Sequence, residues 1–158
     1  MKVFIVFFAL LIINVSFLTY QGDMGRYVRC QAFLKAVAEE CAAGAALYYD
    51  EEAYSDGRFC FRQEEGLRYI EFILQESDKQ MLLPHGSTIA YEVLFQDDVE
   101  GYEDDSGSGP AGVGPDGESD SPNPSVTVEL KAATGDLFRL PFLTVTEIKR
   151  KAKYELPW

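Results

Sequence analysis

The feature that most constrains this chain is an apolar run that begins at residue 3 and passes into a helical pattern without a proline. No charged residue lies between Val3 and Gly22. Twenty helical residues span about 30 Å, which is the thickness of a bilayer's hydrocarbon core. The sequence therefore predicts a membrane anchor helix in residues 1–22. Its large apolar members are Val3, Phe4, Ile5, Val6, Phe7, Phe8, Leu10, Leu11, Ile12, Ile13, Val15, Phe17 and Leu18.

A removed signal peptide is the alternative interpretation, because the strongest part of the run is as short as a signal-peptide core. A signal-peptidase site needs small residues at alternate positions, whereas Phe17 and Tyr20 are typical of a membrane interface. An uncleaved anchor is therefore favoured. Lys2 precedes the run. The positive-inside rule then predicts a single-pass protein with a cytoplasmic N-terminus and an extracytoplasmic domain in residues 23–158.

The second half of the predicted helix carries an apolar face. Tyr27, Cys30, Leu34, Val37 and Cys41 follow one another in steps of three and four, the pattern of a helix that packs on a partner. A helix ending near residue 49 would be about 70 Å long, whereas a domain of this size is about 35 Å across. We therefore expect the turns around Tyr27 and Cys30 to project free of the domain. With Leu34 they would form a subunit-packing face, while Val37 and Cys41 would meet the sheet.

The rest of the chain predicts an α+β fold. Residues 49–56 are polar and end in a turn, residues 58–61 suit a short strand, and Gln63 to Ser77 suit a second, short helix. Three later segments alternate apolar and polar residues, which is typical of half-buried strands in an antiparallel sheet. The long helix should cover the buried side of that sheet. The segments are Ile89 to Gln96, Val126 to Lys131 and Glu147 to Tyr154.

Residues 101–124 separate the first two predicted strands. They contain six glycines and four prolines, and no Leu, Ile or Phe. Nine acidic residues and no basic residue lie between Asp97 and Asp120. Such a segment cannot bury enough apolar surface to offset the entropy lost on ordering, so we predict a disordered acidic loop. A calcium site is the alternative, although the residue spacing of a calcium-binding loop is absent.

Charge and residue usage argue against several function classes. The chain carries a net charge of −12, and residues 23–158 carry −13 because Lys2 is the only charged side chain before them. So acidic a domain argues against nucleic acid and against an anionic membrane surface as partners. The sequence has one histidine, His85, and no nucleophile, phosphate-loop or metal motif. No catalytic residue, cofactor, metal site or small-molecule substrate is therefore expected, and a hydrolase is the least supported alternative.

The three cysteines allow at most one pairing within the chain. Cys30 and Cys41 lie about 16 Å apart along the predicted helix, which is too far for a disulfide. Cys41 could pair with Cys60 if the segment after the helix folds back. The favoured interpretation is that all three are small buried apolar residues.

The stretch Asp23-Met24-Gly25-Arg26-Tyr27, followed by an alanine-rich helix to Ala42-Ala43-Gly44-Ala45-Ala46, resembles the N-terminal signature of TadE/TadG-like proteins. These are minor pilins or pseudopilins of tight-adherence (Flp-type) pilus systems. Residues 126–129, 140–142 and 148–154 are similar to the closing strands of such proteins. Pilin precursors usually have a short basic leader ending in glycine and an early glutamate, and neither stands before or within residues 3–22.

The resemblance implies a pilin-like fold and a non-enzymatic envelope protein. Residues 3–22 would hold the subunit in the membrane, and the continuing helix would pack against other pilin-like subunits or the pilus assembly platform. The sheet and the acidic loop would face outward. The alternative function is a membrane-tethered extracytoplasmic binding or sensor module unrelated to pili, which would need the anchor only as a tether.

Overall fold

The computed structural model describes residues 2–79, 83–84, 86–101, 123–135, 137–140 and 143–157. The described residues form a long helix, two shorter helices and a three-stranded antiparallel sheet, so the predicted α+β class is confirmed. The elements are α1 (Lys2–Ala45), α2 (Glu51–Ser55), α3 (Gln63–Lys79), β1 (Thr88–Gln96), β2 (Ser125–Ala133) and β3 (Glu147–Glu155).

Helix α1 joins the apolar run and the amphipathic stretch without interruption. It has 44 residues and is therefore about 66 Å long. It ends at Ala45, earlier than the predicted residue 49. The backbone N–H groups of Leu47 and Tyr48 donate to carbonyls three residues back, which tightens the last turn. Tyr49 then pairs with Phe61 in an isolated β-bridge.

The sheet has the strand order β1-β2-β3, with β2 in the centre. Val128 of β2 stands opposite Val93 of β1 and Ala152 of β3. Alternate residues of β2 are buried against α1, whereas the opposite face of β3 carries exposed lysines. This alternation is the period-two pattern seen in the sequence. All three strands form in the segments where that pattern predicts them.

Helix α1 packs against β2 and β3 and also against α3. The contact with α3 depends on Gly44, because a Cβ atom there would lie 1.9 Å from Cε1 of Tyr69. The Tyr69 ring occupies that space, so a side chain at position 44 would have to displace the ring. The α1 face, the β2 side chains and Ile70 of α3 belong to one apolar core.

Two short segments differ from the sequence-based prediction. Residues 51–55 form α2, because the Asp50 side chain accepts hydrogen bonds from the backbone N–H groups of Glu52 and Ala53 at 2.9 and 3.3 Å. This is an N-cap, and Glu51 and Glu52 suit the positive end of the helix dipole. The predicted strand at 58–61 does not form, since within it only Phe61 forms a β-bridge with another segment.

The predicted disordered loop cannot be compared with the structure. Of residues 101–124, only Gly101, Asn123 and Pro124 are described. The prediction for the remainder lies outside the described residues, as do Pro141 and Phe142.

Candidate membrane anchor and the helix beyond it

The first half of α1 is exposed on all sides. All thirteen large apolar anchor residues have exposed side chains. The 18-residue window of highest mean hydropathy, 2.5, has no buried residue. A core helix of a soluble protein would bury most of that window, so this segment does not serve the domain's own packing. One helix is thus long and apolar enough to span a membrane, and a signal sequence has the same properties.

An aromatic cluster marks the point where α1 meets the domain. The Phe138 ring, from the connection between β2 and β3, lies 6.2 Å from the Tyr20 ring and 6.0 Å from the Tyr27 ring. Tyrosines of this kind suit the boundary between lipid and water, because the ring is apolar and the hydroxyl group is polar. The cluster therefore lies at the level where the predicted anchor would leave the membrane.

A buried carboxylate fixes the same connection to the helix. Asp23 is 2 % exposed. Its Oδ2 accepts a hydrogen bond of 2.9 Å from the backbone N–H of Arg139, and its Oδ1 lies 3.8 Å from Arg139 Nε. A buried carboxylate needs such partners, because it has lost its water. The sequence does not reveal this contact, because the two residues are 116 positions apart. Its only trace in the sequence is a single acidic residue directly after the apolar run.

The predicted subunit-packing face is largely used within the domain. Cys30 is 1 % exposed and Leu34 is fully buried, while Tyr27 is half-buried against the core. The expectation that the turns around Tyr27 and Cys30 project free is therefore wrong. The sheet alone does not reach these turns, but the connection after β2, with Phe138 and Arg139, extends along α1 as far as Asp23. Val37 and Cys41 do lie in the core, as predicted.

A different face of α1 remains free. Met24 and Val28 are exposed by 39 % and 51 %, and Phe17, Gln21 and Ala32 are exposed on the same side of the helix. These positions follow one another in steps of three and four, so they form one stripe that runs from the anchor onto the domain. We call it the free stripe. Unlike the predicted face, it is not covered by the described residues.

The cysteines are not bonded to one another. None of the three forms a disulfide, so the possible Cys41–Cys60 disulfide is not formed. Cys30 and Cys41 are buried, and Cys60 is half-buried. Burial raises the pKa of the Cys41 thiol to about 12, with a further contribution from the nearby Glu40 carboxylate. Burial also raises the pKa of Cys30, although Arg26 and Arg29 act in the opposite direction.

Other candidate sites are few in the described part of the chain. There, no group of three or more His, Cys, Asp or Glu side chains could hold a metal ion. An open groove near the far end of α1 is lined by Tyr48, Glu65, Arg68, Tyr69 and Phe72. Its aromatic walls could contact a protein or peptide surface, and it has no arrangement of acid, base and nucleophile.

Comparison with known proteins gives no match. No family model, no curated protein and no solved structure is similar to this chain. The resemblance to TadE/TadG-like proteins therefore depends on residue patterns, and the function has to be argued from the geometry of α1 and the domain.

Proposed function

We propose that this chain is a single-pass, pilin-like envelope protein that takes part in the assembly or structure of a tight-adherence type pilus. The observation that carries the proposal is the continuity of α1. Its exposed apolar half and the half that forms the core of the domain belong to one helix. Anchor and domain therefore move as one body, as a subunit that passes from a bilayer into a fibre requires.

In this proposal the bilayer holds residues 3–22, with the N-terminus in the cytoplasm and the sheet outside. Lys2 supports that orientation. On assembly the anchor exchanges lipid for the helices of neighbouring subunits. The free stripe is the surface available for this exchange, because Cys30 and Leu34 are already buried. Gly25 and Ala32, which lie on or beside the stripe, would allow another backbone to approach closely.

A membrane-tethered binding module is the second candidate, and the groove on α3 favours it. Phe72 is 60 % exposed there, next to Tyr48 and Tyr69. Aromatic side chains on a concave surface are typical of protein contacts. In this case the groove would carry the function, and the anchor would only keep the domain at the membrane.

Photocrosslinking in cells distinguishes the two candidates. A photoreactive amino acid at Val28, on the free stripe, should crosslink to another pilin-like subunit. The same amino acid at Arg62, near the far end of α1, is the matched control and should not. Replacing residues 3–18 by an unrelated transmembrane helix should abolish the Val28 crosslink and piliation. If the replaced anchor leaves both unchanged, α1 is only a tether and the pilin proposal is wrong.

A further inference from the structure

Three arginines lie at similar heights along α1, where the helix leaves the predicted anchor. Arg29 Nε donates to the carbonyl of Gly25 at 3.3 Å, so its guanidinium group is directed back toward the anchor. Arg139 Nε lies 3.8 Å from the carboxylate of Asp23. Asp23 and Gly25 differ in height by about 3 Å along the helix axis. Arg26 is exposed on the next position of α1. We call these three side chains the arginine collar.

The collar lies at the height of lipid headgroups if residues 3–22 span a bilayer. Leu18, the last large aliphatic residue of the anchor, precedes Asp23 by five residues, which is about 8 Å of helix. The headgroup layer adds about 5–8 Å to each side of the hydrocarbon core. The guanidinium groups of Arg29 and Arg139 therefore lie close to the level of the phosphates.

The collar is locally positive although the protein is strongly acidic. Asp23 is the only acidic residue of α1 before Glu39, and it is buried and bonded to Arg139. Among the described residues, neither Arg26 nor Arg29 forms an ion pair. The Arg139 side chain is 68 % exposed despite its contact with Asp23. Donors are thus available to an external anion.

Asp97 and Asp98, directly after β1, lie at the opposite end of the domain. They bond to the backbone of the segment that follows α2, whereas Asp23 bonds to the connection at the other end of β2. These two carboxylates are therefore separated from the collar along the long axis of α1, and Glu147, which is nearer, pairs with Lys149. For a protein held upright at a membrane, the local charge at the surface matters more than the net charge, since screening limits the field to about 10 Å.

We infer that Arg26, Arg29 and Arg139 bind the phosphates of anionic lipids in the leaflet from which the domain emerges. The inference rests on the membrane anchoring within the proposed function. A guanidinium group offers several N–H donors in a plane and matches phosphate oxygens well. Because Arg139 belongs to a different segment from Arg26 and Arg29, one lipid layer would contact both α1 and the connection after β2. The domain would then sit at a fixed height and tilt.

The test uses the full-length protein in detergent, titrated with phosphatidylglycerol and followed by native mass spectrometry. One basic residue near an anionic surface changes affinity about fivefold. The R26Q/R29Q/R139Q protein should therefore bind phosphatidylglycerol about a hundredfold more weakly than the wild type. R58Q/R62Q/R68Q, with the same loss of charge at the far end of α1, should bind like the wild type. Phosphatidylcholine should bind weakly to all three proteins, and inorganic phosphate should not displace phosphatidylglycerol.

Two results would overturn the inference. One is equal binding of phosphatidylglycerol by the wild type and the collar variant, and the other is equal binding of phosphatidylcholine and phosphatidylglycerol by the wild type. R26K/R29K/R139K keeps the charge and should retain most of the binding, which separates a charge effect from misfolding. Carbonate extraction of the wild type tests the anchoring separately. If the protein binds phosphatidylglycerol as expected but has no role in piliation, the proposed function is wrong and the inference about the arginine collar still holds.

Discussion

At the scale of single residues, Asp97 shows how one side chain orders a segment that lacks secondary structure. It is 2 % exposed. Its Oδ2 accepts the backbone N–H of Phe61 at 2.8 Å, and its Oδ1 accepts the N–H groups of Val99 and Glu100 at 3.0 and 2.9 Å. The carboxylate thus ties Phe61, which lies in a segment with a single β-bridge, to the turn that the chain makes after β1.

Asp97→Ala should lower the free energy of unfolding by about 2–4 kcal/mol, because backbone donors that bonded to a charged group lose their partner. Asp98→Ala is the control, for which a smaller loss of stability is expected. Its exposed carboxylate accepts the N–H of Phe59 at 2.7 Å, and its loss should cost about 1 kcal/mol. Thermal unfolding followed by near-ultraviolet circular dichroism measures both. Equal destabilisation by the two variants would contradict this assignment.

The cysteines should differ in reactivity, because Cys30 and Cys41 are buried whereas Cys60 is half-buried, although burial raises the pKa of all three thiols. In the native protein at pH 7.5, maleimide should label Cys60 first, and Cys60→Ser should remove most of the native labelling. Cys30 and Cys41 should react only after denaturation. Mass spectrometry of tryptic peptides measures this order. Labelling of Cys41 as fast as Cys60 would show that the α1 face opens in the native state.

The pKa of Cys41 also predicts a pH dependence of stability. The unfolded thiol ionises near its ordinary value of 9.0, whereas the folded thiol stays protonated up to about 12. Above pH 9 the unfolded state therefore binds fewer protons, and stability falls as the pH rises through this window. The fall between pH 8 and pH 10 should be smaller for Cys41→Ala than for the wild type. An identical pH profile for the two proteins would contradict the raised pKa.

At the scale of elements, the sequence predicts what has a period and misses what depends on distant contacts. The strands around Val93, Val128 and Ala152 and the helix at Ile70 follow from alternation and helical spacing. The cover over Tyr27 does not, because Phe138 lies in a connection whose path is set by contacts with α1. Helix α2 is not predicted for a local reason, since Asp50, its N-cap, fits a polar turn equally well.

The burial of Cys30 and the exposure of Val28 predict different responses to a charged side chain on α1. Cys30→Glu should unfold the domain or destabilise it by more than about 3 kcal/mol, because it places an unpaired charge in the core. Val28→Glu, two residues earlier on the free stripe, should change stability by less than about 1 kcal/mol. Thermal unfolding compares the two variants. Equal stability would mean that the connection after β2 does not cover α1 in solution.

At the scale of the whole molecule, α1 defines an axis with different chemistry at its two ends. Exposed apolar residues occupy the first half, and aromatic and arginine side chains follow where the domain begins. Asp97 and Asp98, directly after β1, lie toward the far end. This order matches the order of layers in a bilayer, from the hydrocarbon core through the headgroups to water.

This order of residues along α1 predicts an integral membrane protein. The full-length chain should fractionate with membranes and resist alkaline carbonate, and residues 23–158 should be open to protease from the outside. Phe8→Arg with Leu11→Arg should release it, because each arginine near the centre of a transmembrane helix costs about 2.5–3.5 kcal/mol on insertion. Phe8→Ile with Leu11→Ile is the matched control and should stay in the membrane. A soluble protein whose N-terminus begins near residue 20 would show that the run is a removed signal peptide. The free stripe would then lose its anchored half, and neither assembly through α1 nor lipid binding at the arginine collar could follow.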